Sequence, residues 1–389
     1  MVSFHVNSVN IVSNASKVTL RTERKKNMNL LEEARKEINE IDEEMAKLFV
    51  RRMRASEKVA EYKQAHGIPV QDPAREARIL RRSALRVEDE VLREYYVNFV
   101  EKNMELSRSY QHRLLEGMRA AYSGTVGAFA HIATGKLFPT AQRIAYGDFA
   151  SAYRAVETGE CDVAVLPLEN SSNGEVGQVT DLMFSGSLYV NAMLELAVTQ
   201  DLLVLPGTDL SNIKKVVSHP QALGQCAAYI REKGWEQVEY PNTALAAKFV
   251  LENGDPTVAA IASEEAAQIF GLEVAARNVN SSRSNTTRFA ALSRSENYHN
   301  KAGMGEHFIL MFTVKNEAGA LARAVDVIGQ YGFNMRTLRS RPMKELLWQY
   351  YFYVEAEGCI HSEKGEAMMR ELESFCDRLK MIGTYSKNE

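Results

Sequence analysis

Arg52 and Lys63 stand eleven residues apart, close to three turns, so both project from one face if the segment is helical. Ile38, Ile41, Met45, Leu48 and Val59 fall on that same face. Burying unpaired cations on an apolar stripe costs several kcal/mol each unless an anion answers them. Arg35 lies near the stripe, one turn before Ile38. Asp72 and Glu76 are four residues apart, as are Ser107 and Gln111, so each pair shares a helix face. Taken singly, such side chains snorkel to water or form structural ion pairs. As a set they describe a pocket that binds and neutralises a small dianion.

Four later segments also carry polar groups suited to a site: Gly124 to His131, Pro167 to Ser172, Ser218 to Gln221, and Asn285-Thr286-Thr287-Arg288-Phe289. Each has a plain structural explanation. The glycines suit a tight turn, Glu169-Asn170-Ser171 a turn or cap, His219 a loop before proline, and Thr-Arg-Phe a strand. Near the C-terminus, Glu317-Ala318-Gly319-Ala320-Leu321 precedes a helical pattern, and Ser340-Arg341-Pro342 closes a strand-like run.

These residues need elements to hold them. The period of three and four predicts one helix from Asn29 to His66, with no Gly or Pro until Gly67. Its apolar stripe calls for a second surface, which a partner subunit would supply. Asp72-Pro73 predicts a helix start, and a third helix is expected over about Asp89 to Leu115. Beyond Gly117, short apolar runs such as Asp162 to Leu166, Leu202 to Leu205 and Val258 to Ile261 alternate with helical patterns. That is α/β patterning, and its length suits two lobes around a cleft. After a polar linker over Glu296 to Gly305 comes a strand–helix–strand–strand–helix–strand order, ferredoxin-like, with its last helix over Glu363 to Leu379. The expected chain is therefore multi-domain: an all-α domain (28–116), an α/β two-lobed domain (118–295) and an α+β domain (305–389), with 1–27 a disordered extension.

The bulk numbers exclude little but agree with this. A chain of 389 residues exceeds one ordinary core. Its net charge of −3 gives no reason to prefer nucleic acid or an acidic membrane surface over small metabolites as partners. Four cysteines with no Cys-x-x-Cys pair give neither a zinc site nor a disulfide framework, and no metal or cofactor is expected of the chain. A cytoplasmic location is expected from the missing secretory pattern.

The N-terminal set Arg35, Arg52, Lys63, Asp72, Arg75, Glu76, Ser107 and Gln111 resembles, in type and spacing, the active site of the all-helical chorismate mutases. The resemblance implies a homodimer in which Arg35 enters the partner's pocket. It further implies that Lys63 and Gln111 are catalytic, stabilising the ether oxygen of chorismate as its bond breaks, while Arg35 and Arg52 grip the carboxylates. Glu76 would then accept from the ring hydroxyl, with Asp72, Arg75 and Ser107 completing the shell.

The four middle segments, in their order, resemble prephenate dehydratase, whose fold is two α/β lobes of the periplasmic-binding type. That resemblance implies Thr287 as the donor to the departing hydroxyl, Glu169, Asn170, Ser171, Gln221 and His131 around prephenate, and Arg288 either holding a substrate carboxylate or bracing its strand. Thr125 and Ala130 depart from the family's Gly-rich pattern, which usually has Pro and Ser there.

The C-terminal segments resemble the ACT module of these enzymes. Gly319, Ala320, Leu321, Ser340, Arg341 and Pro342 would bind a phenylalanine effector, although Arg339 stands where the family tends to carry Glu. Together the three resemblances point to the bifunctional chorismate mutase/prephenate dehydratases. Alternatives are an amino-acid-sensing protein with inactive catalytic domains, a two-lobed extracytoplasmic receptor, or a dehydratase preferring arogenate.

Overall fold

A computed structural model describes residues 8–281, 285–296, 306–343 and 349–386, with 8–29 and 306 described by backbone alone. The chain divides into two compact units, Met1–Leu115 and Glu116–Glu389.

The first unit is three helices: α1 (Ser8–Ala65), α2 (Pro73–Ala84) and α3 (Glu90–Glu116). The expected disordered extension is corrected over residues 8–27, residues 1–7 lying outside the described residues. Helix α1 spans 58 residues and already runs at Ser8, because no Gly or Pro separates that stretch from the amphipathic part. At 1.5 Å per residue it is roughly 87 Å long. Asp72 caps α2, its carboxylate accepting from the Arg75 amide at 2.9 Å, with Pro73 at the first turn. Asp89 does the same for α3, accepting from the Val91 and Leu92 amides at 2.9 and 3.0 Å. The interior is thin: among the described residues only Ala60 and Met104 are buried apolar residues of this unit. Ile38, Ile41, Met45, Leu48 and Val59 all remain exposed, Leu48 at 60%.

The second unit begins with β1 (Arg119–Ser123), α4 (Phe129–Leu137), β2 (Gln142–Tyr146), α5 (Phe149–Glu157), β3 (Val163–Asn170), β4 (Gly174–Glu175), α6 (Gly177–Ser185) and β5 (Tyr189–Ala197). The chain then crosses into β6 (Asp201–Val204), β7 (Lys215–Ser218), α7 (Pro220–Gln225), α8 (Ala227–Lys233), β8 (Glu236–Glu239), α9 (Thr243–Asn253), β9 (Val258–Ala262), α10 (Glu264–Phe270) and β10 (Glu273–Ala276). It returns through β11 (Thr286–Ser293). The middle strands form their own five-stranded sheet, in the order β10-β6-β9-β7-β8, with buried apolar clusters on both faces. Strands β5 and β11 therefore carry the chain out of one lobe and back.

The remainder is β12 (Glu306–Thr313), α11 (Ala320–Gln330), β13 (Asn334–Pro342), β14 (Tyr350–Glu357), α12 (Glu363–Glu373) and β15 (Arg378–Ser386). Its antiparallel order, β13-β14-β12-β15, is ferredoxin-like. Helix α12 stops six residues before the expected Leu379, because the Ser374 hydroxyl bonds back to the Glu371 carbonyl and the Asp377 amide joins Thr313 at 3.0 Å. Most of the expected linker and the first residues of the expected third strand (297–305 and 347–348) lie outside the described residues.

Strand β15 also pairs with β5, so this domain's sheet continues into the first lobe as one ten-stranded sheet. Gly383, at φ +154°, permits that join, since a Cβ there would collide with the Val190 carbonyl. Ile309, Met311, Tyr351, Tyr353 and Ile382 accordingly share a core with Leu166, Met183 and Leu292. Among the described residues no helix is long and apolar enough to cross a membrane.

Candidate active sites

Helix periodicity brings seven of the eight expected N-terminal residues to one pocket in the first unit: Arg52, Lys63, Asp72, Arg75, Glu76, Ser107 and Gln111. Arg52 donates to the Asn103 carbonyl at 3.0 Å and to the Ser107 hydroxyl, and burial lowers its pKa from the ordinary arginine value. A cation that is desolvated in this way favours an anionic ligand. Lys63, on the same helix face, donates to the Val70 carbonyl, leaving two further ammonium protons. Gln111 is buried and spends one amide proton on the Ser107 carbonyl at 3.1 Å, leaving the other.

Sequence reasoning missed Arg108 and Ser56, which also line the pocket. Arg108 pairs with Glu76 at 2.7 Å; its signal was its position three residues before Gln111 on the same helix. The wall holds four cations (Arg52, Lys63, Arg75, Arg108) against two carboxylates (Asp72, Glu76), a surplus of two positive charges. Arg35 is exposed, and its 17-residue separation from Arg52 along α1 is about 26 Å. It cannot complete the pocket of its own chain.

The second site is a cleft of about 370 Å³ between the lobes of the second unit. Asn170 at the end of β3 and Thr287 on β11 sit directly opposite one another across the strand pair. Both line the cleft, together with Gln221 at the start of α7. The Asn170 amide nitrogen donates to the Thr287 hydroxyl at 2.9 Å and to Asn285 Oδ1 at 2.8 Å. Its oxygen accepts from the Ser172 and Asn173 amides, both at 3.0 Å, which locks the side chain. Because Thr287 Oγ accepts from Asn170, its own proton is left for a ligand. Asn285, Gln225, His219 and Asn242 line the cleft without having been foreseen as site residues, although Asn285 and His219 belong to the motifs quoted above.

Four expected cleft residues are placed elsewhere, a correction with one main cause. Successive side chains of a strand point to opposite faces, so Glu169 and Arg288 turn away from the face that carries Asn170 and Thr287. Arg288 forks onto Glu355 at 2.8 and 3.1 Å and donates to Tyr385 at 2.9 Å. Glu169 pairs with Arg339 at 2.5 Å. Ser171 braces the loop, its hydroxyl accepting from the Thr286 amide at 3.0 Å. His131 is buried beside Tyr122, accepts from the Gly127 amide at 3.3 Å, and burial lowers its pKa, so it stays neutral and props the Gly-rich turn.

The expected effector residues divide. Gly319 adopts φ +86° as the cap of α11, a conformation that favours glycine, and Ala320 lines a pocket with Glu317 and Arg323. Leu321 packs on the core beneath the four-stranded sheet, while Ser340 is exposed. Pro342 lines a different cavity, beside Asp181 and Tyr351. Arg341 is not a free ligand-binding group: it pairs with Asp181 at 3.1 Å and with Glu175 at 3.7 Å.

The family model for chorismate mutase type II matches residues 34–112, and that for prephenate dehydratase matches 120–297. A bifunctional chorismate mutase/prephenate dehydratase from Aquifex aeolicus is 30% identical over 368 residues, covering 92% of this chain and 99% of that protein. An arogenate dehydratase/prephenate dehydratase from Arabidopsis thaliana is 31% identical over 277 residues, covering 69% of this chain and 72% of that protein. Among solved structures, a prephenate dehydratase from Arthrobacter aurescens in complex with L-Phe superposes with a TM-score of 0.64 at 26% identity, covering 69% of this chain and 90% of that one.

Proposed function

The chain belongs to the bifunctional chorismate mutase/prephenate dehydratase family, enzymes of phenylalanine biosynthesis that rearrange chorismate and dehydrate prephenate, and from that premise we propose which side chains perform each step. The observation that carries the mutase reading is the surplus of two positive charges around one pocket, with a desolvated arginine in its wall.

The rearrangement is pericyclic and needs no nucleophile; what changes is the charge on the ether oxygen as its bond opens. Lys63 and the spare amide proton of Gln111 donate to that oxygen, an interaction stronger in the transition state than in the substrate. Arg52 holds one carboxylate of the dianion, and Arg35 of the partner subunit holds the other. A homodimer is supported by the exposed apolar stripe of α1 and by a unit whose own core is too thin to stand alone. Asp72, as a helix cap, and Glu76, through Arg108, keep the second wall in place.

In the cleft, Thr287 donates to the ring hydroxyl as it leaves with loss of carbon dioxide, while Asn170 fixes the direction of that proton. Gln221 and Asn285 line the remaining surface. The domains run over about 28–116, 118–295 and 305–389, the last being an ACT domain that binds phenylalanine; the ferredoxin-like order and the L-Phe complex of the Arthrobacter relative support this.

Chorismate supplied to the purified protein is expected to appear as phenylpyruvate, with prephenate and arogenate assayed separately. Phenylalanine is expected to slow the second step. Accumulation of prephenate without keto acid would remove the dehydratase reading and leave the mutase.

A further inference from the structure

Asn170 and Thr287 form one cross-strand pair, and Glu169 and Arg288, the next residues along β3 and β11, form another on the opposite face. That second pair is only partly solvated. Arg288 forks onto Glu355 of β14, Glu169 meets Arg339 of β13, and Arg288 lies 3.6 Å from Glu169. Two cations and two carboxylates thus alternate at the centre of one cluster, with Glu355 only 4% exposed and the other three between 20% and 27%, while a third carboxylate, Glu195 at 60% exposure, lies 4.0 Å from Arg288 at its rim. Tyr353 and Tyr385 both donate to Glu355, and the Arg339 guanidinium lies 5.7 Å from the Tyr353 ring centre.

Burial alone would raise the Glu355 carboxyl, but Arg288 and the two tyrosines hold it below its usual range, so the cluster is charged at neutral pH. Two residues beyond Arg339 on the same strand, Arg341 pairs with Glu175, the cross-strand neighbour of Glu169. The strand register shifts between Arg288 and Phe289, a bulge that interrupts the β3–β11 ladder and raises its local twist beside the cluster. Ion pairs of this kind contribute little net stability, and their better-attested use is to select one register.

We propose that Arg339 and Glu355 of the C-terminal domain are positioning residues for the dehydration step: through Glu169 and Arg288 they fix the register of β3 against β11, and so the Asn170–Thr287 hydrogen bond in the cleft. The inference rests on Asn170 and Thr287 forming the working face.

The test is steady-state turnover of prephenate by the full chain carrying Arg339→Gln, Glu169→Gln, both changes, or Arg339→Lys. Each Gln variant is expected to lower kcat about fivefold or more with KM changed less than about twofold, and the double variant to be no worse than the poorer single one. Arg339→Lys, which keeps the charge, is expected to stay within about threefold of the wild type. Unchanged kcat in the single variants, losses that multiply in the double one, or a Lys variant as impaired as Gln would each overturn the proposal. Thr287→Ala run alongside separates the two readings. Full turnover in that variant removes the working face itself, whereas its loss beside unaffected cluster variants removes only the coupling.

Discussion

The two candidate sites handle charge in opposite ways. In the helical unit, cations line the pocket, and the apolar stripe continues exposed along the same helix face beyond it. In the two-lobed unit, the cleft is walled mainly by amides, hydroxyls and apolar groups, with His219 and one carboxylate, Glu175, and among the described residues its lining holds no Lys or Arg. The arginine and glutamate of its two signature motifs are instead turned onto the C-terminal domain. The difference follows from the reactions. A rearrangement that builds negative charge on a dianion needs fixed positive charge, whereas expulsion of hydroxide asks for a placed proton.

The sharpest break in this contrast is Lys63→Ala. It is expected to lower the mutase rate a hundredfold or more, roughly 3 kcal/mol of barrier, while prephenate turnover is untouched. Near-normal conversion of chorismate in a stopped assay would remove Lys63 from its role. Thr287→Ala is the reciprocal variant, with dehydratase activity reduced on the order of a hundredfold and mutase activity kept. Equal loss of both would place the defect in folding.

A smaller effect is expected on stability. The folded Glu355 carboxyl titrates below the ordinary value near 4.5, so its contribution is complete above that pH and is lost as pH falls through the lower, folded value. Glu355→Gln should therefore flatten the acid limb of a denaturation profile taken below about pH 4.5, and an unchanged limb would deny the pair its charge.

How much of this could be read from the chain depends on distance and period. Arg52, Lys63, Ser107 and Gln111 were legible because helical spacing alone fixes which side chains share a face. Glu169 was misread, and Arg288 left between two roles, because a motif taken as a block hides the two-residue period of a strand, which sends neighbours to opposite faces. Had alternation been applied to Asn285-Thr286-Thr287-Arg288-Phe289, Thr287 and Asn285 would have been grouped and Arg288 set apart. The pairing of Arg339 with Glu169 links residues far apart in the chain, and no local pattern announces it. Arg339 itself was visible only as an unexplained reversal of charge. The helical stretch before Asn29 was missed because its composition suggested a tail, while nothing in it forbids helix.

The sharing of mutase pockets between two copies is tested most directly by mixing inactive chains. Arg35→Ala and Lys63→Ala variants, each nearly inactive alone, are refolded together and assayed with chorismate. If each pocket takes Lys63 from one copy and Arg35 from the other, random pairing restores about a quarter of wild-type sites. A mixture no more active than its separate components would contradict the shared pocket.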